Sequence, residues 1–357
     1  MRTQRRFLPG RLRRQLVSLL VVGAIATGGT VVPRPAAAFD FNEAPLALVV
    51  IFAISIGGID RFHPFGMQDR TASLSCPVFI GSGTLLGEDD CAWVKATGQW
   101  TSQSGSSGSS AVVRIGGQKE IAPGWFLGGS FGAGSQWLQD GNGYLGNGQL
   151  FDGSVALKRT VGPWLFAGAI AFSSASLHVA PIGLGLAGDS NIYNGGMRLR
   201  GAYDVDFTGW YVRPRLDLDL VHSWQPGFQL TGPGPAGFGL AGISVDGTSK
   251  TSFAATPMVE LGARFDTEQK LVIRPYAAVG ASFLPDNNTT VTASFTGPLA
   301  GLGRLQSTSS GPSVLANVEA GLQLYKAGGF EAKADYRLSA GDGFISQGAS
   351  LRGAYHF

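Results

Sequence analysis

Among the residues able to do chemistry, Ser130 comes first. It sits at the centre of Gly128-Gly129-Ser130-Phe131-Gly132, the spacing of a hydrolase nucleophile elbow, in which a strained strand-to-helix turn presents the hydroxyl to a general base. His178 and His222 are the candidate bases. The motif falls inside a predicted strand with no helix after it, so the strained turn is missing. Gly183-Leu184-Gly185-Leu186-Ala187-Gly188 fits the dinucleotide fingerprint, and so does Gly232-Pro233-Gly234-Pro235-Ala236-Gly237. That fingerprint works only with a helix N-terminus for the pyrophosphate and an acidic partner for the ribose, and neither is evident. A chain with 54 glycines generates the pattern readily. No cofactor and no enzymatic activity are expected.

Cys76 and Cys91 are the two cysteines. A metal site would need a histidine cluster or tighter spacing, which His63 alone does not supply. In an oxidising compartment the pair is expected to close a disulfide stabilising the fold by roughly 3 kcal/mol.

The richest constellation is ionic. Arg198, Arg200, Arg213, Arg215, Asp217, Asp219, Glu260, Arg264, Arg274, Glu319, Lys333, Asp335, Arg337 and Arg352 occupy alternate positions in stretches that are otherwise apolar. Over residues 209–224, Val212, Pro214, Leu216, Leu218 and Leu220 share one face, while Tyr211, Arg213, Arg215, Asp217 and Asp219 share the other, because successive strand side chains point oppositely. The same alternation recurs with Phe330, Ala332, Ala334, Tyr336 and Leu338 against Glu331, Lys333, Asp335 and Arg337. Facing charges of this kind can neutralise one another across a lumen, hold a plug or passenger segment, or line an aqueous path.

The elements that must position these residues are about twelve antiparallel strands, expected near 91–103, 110–121, 124–137, 149–161, 163–178, 190–206, 209–224, 250–265, 270–285, 312–326, 330–339 and 344–357. Connections after even-numbered strands are short. After odd-numbered strands most are long: Leu138 to Gly148, Val179 to Asp189, Gln225 to Ser249 and Asp286 to Gly311. The parity predicts a transmembrane β-barrel with tight periplasmic turns and long outer loops, which a soluble sandwich has no reason to show. Trp100, Trp125, Trp137, Trp164, Trp210, Trp224 and Tyr276 lie near strand ends, where interfacial girdles are expected.

Composition agrees with an exported barrel. Charged residues make up 14% of the chain and hydrophobic ones 44%, with a net charge of +3. The clustered basic surface of a nucleic-acid binder is absent. Residues 1–38 read as a signal peptide: basic at Arg2, Arg5, Arg6, Arg11, Arg13 and Arg14, apolar from Leu16 to Ala26, with Pro35-Ala36-Ala37-Ala38 as cleavage site. A second apolar run spans Ala44 to Ile59.

The chain ends Ala349-Ser350-Leu351-Arg352-Gly353-Ala354-Tyr355-His356-Phe357, with Leu351, Gly353, Tyr355 and Phe357 assigned to the lipid face. This resembles the terminal signal read by the barrel-assembly machinery. From Trp93-Val94-Lys95 through Ala122-Pro123-Gly124-Trp125-Phe126-Leu127-Gly128-Gly129 and the Gly-rich strand array, residues 91–357 resemble the autotransporter β-domain family of type V secretion. The resemblance implies a barrel in the bacterial outer membrane that passes a passenger through its lumen. It also implies periplasmic chaperones, the assembly machinery and outer-membrane lipids as partners, with a monomeric barrel.

In that family a helix is expected in the pore before the first strand, but Pro77 to Gly87 is β-branched and Gly-rich. Residues 39–90 are few for a passenger and lack the repeats of a β-solenoid. They are expected to be a vestigial passenger, a linker or a plug. The function expected is anchoring or exporting this short segment. The alternatives are a non-secreting barrel acting as a small pore or surface adhesin, and a lipid-acting enzyme built on Ser130.

Overall fold

The computed structural model describes residues 74–103, 106–140, 143–180, 185–233, 242–285, 288–326 and 328–357. The signal peptide, the Ala44 to Ile59 run and His63 lie outside them, as do parts of both Gly-rich motifs. No helix among the described residues is long and apolar enough to cross a membrane. The spans are strands.

A short hairpin, β1 (Pro77–Phe79) and β2 (Leu86–Glu88), precedes the barrel. The twelve barrel strands are β3 (Cys91–Gln103), β4 (Ser106–Ala122), β5 (Trp125–Asp140), β6 (Gly143–Val161), β7 (Trp164–Val179), β8 (Gly188–Tyr203), β10 (Trp210–Gln225), β13 (Thr248–Ala263), β15 (Val272–Phe283), β18 (Val314–Tyr325), β19 (Phe330–Gly341) and β20 (Phe344–His356). Two-residue strands, β9 (Val205–Asp206) and β14 (Phe265–Asp266), extend the turns at one end. Every pairing is antiparallel. β20 pairs with β3 from Phe344↔Gln103 to His356↔Cys91, so first and last strands close the sheet on itself. Closure leaves no unpaired edge in the membrane, where an unsatisfied backbone group would cost several kcal/mol.

The alternation read from sequence sorts the two faces. Along β20, Leu351, Tyr355 and Phe357 are exposed and Arg352 and His356 buried. Along β10, Leu216 and Leu220 are exposed while Asp217 and Asp219 are buried. In a soluble domain this would be inside out. Here the apolar face meets lipid and the polar face is the interior, so exposed Val113, Ile115, Phe131, Ile170, Phe172, Leu199 and Val279 form the membrane surface.

Tight turns at one end need backbone that only glycine supplies cheaply. Gly124 has φ +70, and a Cβ there would stand 2.7 Å from the Thr160 carbonyl; Gly162 has φ +56. This tight-turn end is the periplasmic one.

Three expectations are corrected. The connection Leu138 to Gly148 is not a long loop: β5 runs to Asp140 and β6 begins at Gly143, because the ladder continues past the girdle. The long segments after β10 and β15 are structured as well. They supply β11 (Phe228–Thr231), β12 (Gly242–Val245), β16 (Asn288–Thr296), a 3-10 helix (Gly297–Leu302) and β17 (Arg304–Ser310). The strands form a separate sheet in the order β11-β12-β16-β17. Tyr276 is no girdle residue. It shares the inward parity of Arg274, and its hydroxyl donates to Asp335, so it belongs to the lumen.

Candidate functional site, a lumen stoppered at both ends

The interior of β8 and β10 carries bidentate Arg–Asp pairs because their residues face each other in register: Arg198 opposite Asp219 and Arg200 opposite Asp217. Arg198 Nε and Nη2 donate to the Asp219 oxygens at 2.6 and 2.7 Å, and Arg200 makes the same fork on Asp217 at the same distances. Arg213 forks onto Asp204. Arg215 spans the lumen, reaching Glu319 at 2.5 Å and Glu260 at 3.4 Å. Arg274 completes this group, donating to Glu260 at 2.7 Å, to the Tyr211 hydroxyl at 2.8 Å and to Gln323 at 2.9 Å. Lys333 lies 3.2 Å from Asp335 and Arg337 3.7 Å from Glu319. Arg264 is set apart, at the periplasmic rim, where it holds Asp266 and the hairpin carbonyls of Gly81 and Gly83. Breaking one member of such a buried pair costs about 3–5 kcal/mol, because the other charge is left uncompensated.

The β1–β2 hairpin lies across the periplasmic mouth. Near β3 it is tied by the Cys76–Cys91 disulfide, with a Cα–Cα distance of 6.4 Å. Arg352 donates to the Ser75 carbonyl at 2.5 Å and touches Cys76 Sγ at 2.6 Å. On the far side, Thr84 binds Asp206 and the backbone carbonyl of Trp210, and the Phe79 amide donates to the Tyr325 hydroxyl at 2.7 Å. Phe79 also meets the Tyr211 ring edge-on, with centroids 5.9 Å apart.

At the base of the hairpin, Glu88 accepts from Lys158 at 2.8 Å, from Gln118 at 2.8 Å and from the Cys76 amide at 3.0 Å, with Ser75 on its other oxygen. Burial alone would raise the Glu88 carboxyl. The Lys158 ammonium, together with donors from Lys158, Ser75 and Gln118, outweighs it and brings the group down to about 2. His356 spans Asp89 of the hairpin stem at 3.0 Å and Glu331 of the wall at 2.9 Å.

The outer mouth is covered by the four-stranded sheet. Leu230, Ile243, Val245, Val291, Ala293 and Phe295 pack onto the inward faces of Leu138, Leu177, Val179 and Ile192 at the outer ends of β5, β7 and β8. A band of apolar residues therefore interrupts the polar lumen wall where this sheet rests on it.

Ser130 faces inward and shares a hydrogen bond of 2.7 Å with Ser154. His178 and His222 are exposed on the opposite face, beside Asp189 and Thr251. The Ser/His pairing is overturned by strand parity. Among the described residues no group of acidic, His or Cys side chains could hold a metal ion.

The sequence reading omitted Glu88, Lys158, Gln118, His356 and the Arg114–Asp152 fork, which closes at 2.7 and 2.9 Å. Parity could have found the wall residues, since each alternates with lipid-facing neighbours. The pairing of Glu88 with Lys158, 70 residues apart, has no local signal.

The family model of the autotransporter β-domain matches residues 92–337. The chain belongs to the autotransporter β-domain family. Solved autotransporter barrels share its fold. The translocator domain of NalP from Neisseria meningitidis superposes with a TM-score of 0.62 at 11% identity, covering 87% of this chain and 99% of that one. The β domain of the Bordetella autotransporter BrkA gives 0.55 at 15% identity, over 76% and 100%. The transport unit of AIDA-I from Escherichia coli gives 0.52 at 14%, over 74% and 90%. Among curated protein sequences none matches. This autotransporter barrel is thus an outer-membrane translocator whose mouth is spanned by a disulfide-tied hairpin.

Proposed function

We propose that the segment ahead of Leu74, residues 39–73, is carried outward through the lumen and that the β1–β2 hairpin then remains as the periplasmic stopper. One observation carries this reading. Leu74 is fully buried in one apolar cluster with Cys76, Cys91, Trp93, Ala156, Ala169 and Ala354 on the inner wall. The chain ahead of the hairpin is therefore seated against the inner wall at Leu74, the placement expected when the preceding residues have passed outward through the lumen.

Transport of this kind draws on the free energy of barrel folding, and the barrel makes and breaks no bond. A small pore is disfavoured by the hairpin at one mouth and the β11-β12-β16-β17 sheet at the other. The lipid-facing row Leu351, Gly353, Tyr355 and Phe357 is the surface offered to the barrel-assembly machinery after periplasmic chaperones deliver the chain, and the finished barrel acts as a monomer among outer-membrane lipids.

The test places an epitope directly after Ala38 and adds protease to intact cells, with barrel folding checked by heat-modifiable mobility. Cleavage from outside is the expected result. Full protection in a folded barrel would overturn export.

A further inference from the structure

We propose that the lumen wall above the hairpin is a binding site for a small multivalent oxyanion of the phosphate class. Two independent observations lead there. The first is a row of cations in cross-strand register. Arg114 lies opposite Lys95, Lys95 opposite Arg352, and Arg352 opposite Lys333, so four adjacent strands, β4, β3, β20 and β19, present a basic residue at one level of the inner wall. Like charges placed directly opposite destabilise a strand pair. Three of the four have their carboxylate at another level, Arg114 at Asp152, Arg352 at Glu331 and Lys333 at Asp335, whereas β8 and β10 set opposite signs in register, Arg198 against Asp219 and Arg200 against Asp217.

The second observation is a cavity of about 70 Å³ bordered by six cationic side chains and two carboxylates. Access to it is asymmetric. Arg200, Lys333 and Arg337 keep 18%, 14% and 23% of their side-chain surface open, whereas Glu260 and Glu319 keep 5% and 9%. Arg200, Lys333 and Arg337 are thus the open members of the lining, while Arg215 and Arg274, at 7% and 3%, are as buried as the carboxylates. The buried Nε of Arg215, which also borders the cavity, has no acceptor. A guanidinium is planar and presents its donors in a fork matched to oxyanion geometry, so several of them around one small space favour a compact anion with more than one negative charge. Lys333 joins the two features, because it closes the cationic row and lines the cavity. The site is bordered by the wall and by Ser75 and Pro77 of the hairpin segment, and it does not depend on which way residues 39–73 travel, so failure of export leaves it standing.

The experiment titrates inorganic phosphate into the full-length folded barrel in detergent at low ionic strength, followed by calorimetry, with chloride at equal ionic strength as reference. Saturable binding near one anion per barrel is expected, weakened about tenfold or more in a Lys333→Gln, Arg337→Gln double variant because charge-assisted donors are lost. Lys119→Gln, on the outward side of β4, leaves it unchanged. As a measurement that needs no variant, phosphate raises the temperature of the heat-modifiable mobility shift of the unaltered barrel above its value in chloride. Absence of saturable binding, binding untouched by the double variant when that variant folds, or no phosphate-specific temperature shift would each overturn the proposal.

Discussion

Lys158 Nζ lies 2.8 Å from Glu88 Oε2 with both side chains almost fully buried, an ion pair between the barrel wall and the hairpin that closes it. Its neighbours, Gln118 on β4 and Ser75 ahead of β1, complete the shell around the carboxylate. The contact therefore links folding of the wall to closure of the mouth.

Glu88→Gln leaves Lys158 buried without a counter-charge and is expected to cost about 3–5 kcal/mol of hairpin anchoring. Single-channel recording in planar bilayers reads this as more frequent openings than in the unaltered barrel. Equal closed times in the two would show that the ion pair does not hold the stopper.

The same carboxyl predicts a pH response. Its folded value, about 2, lies below the ordinary 4.5, so the stabilisation is complete above about 4.5 and is lost as pH falls towards 2. The Glu88 contribution to opening frequency should stay flat from neutral pH to about 5 and rise below about 4. The Glu88→Gln barrel should lack the part of that rise due to this group.

Removing the disulfide by Cys76→Ser should weaken the hairpin by roughly 3 kcal/mol on the chain-entropy estimate. Trypsin added from the periplasmic side should then cut near Arg264, which in the closed form donates to Gly81 and Gly83. The reduced native protein should behave alike, whereas the oxidised one resists. Identical resistance in all three would mean that the non-covalent contacts suffice.

Within the wall, Arg198→Ala abandons Asp219, which is 1% exposed, and should destabilise by about 3–5 kcal/mol. The double change with Asp219→Ala should recover much of that loss, because no unpaired charge remains. Urea titration of the heat-modifiable form in micelles measures both, and a double variant as unstable as the single would contradict the pairing.

On the lipid face, Leu220→Arg places a charge in the bilayer at an expected cost of about 2–4 kcal/mol if it lies near the midplane. Its neighbour Asp219 points the other way. Insertion yield into liposomes reads this cost, since the neutral Leu220→Ala should insert far better than Leu220→Arg.

The sequence by itself determined the barrel: its strand number, its handedness of faces and its orientation. Strand side chains alternate with period two, so Leu216 and Asp217 must part to opposite faces. The tight turns at Pro123-Gly124 and Gly162-Pro163 also announce themselves locally. Even Leu351, Tyr355 and Phe357 fall on the outer face by parity alone.

What only the tertiary structure decided is what fills the lumen. The hairpin, its seat on Lys158 and His356, the outer sheet built from two loops far apart in sequence, and the inward turn of Tyr276 depend on contacts such as Gln323 with Pro77, separated by 246 residues. Period-two alternation tells a side chain which face it occupies, but it is silent about its height along the axis and its neighbours across the ring. Those are fixed when β20 closes onto β3 in one register, because closure sets the stagger of all twelve strands at once.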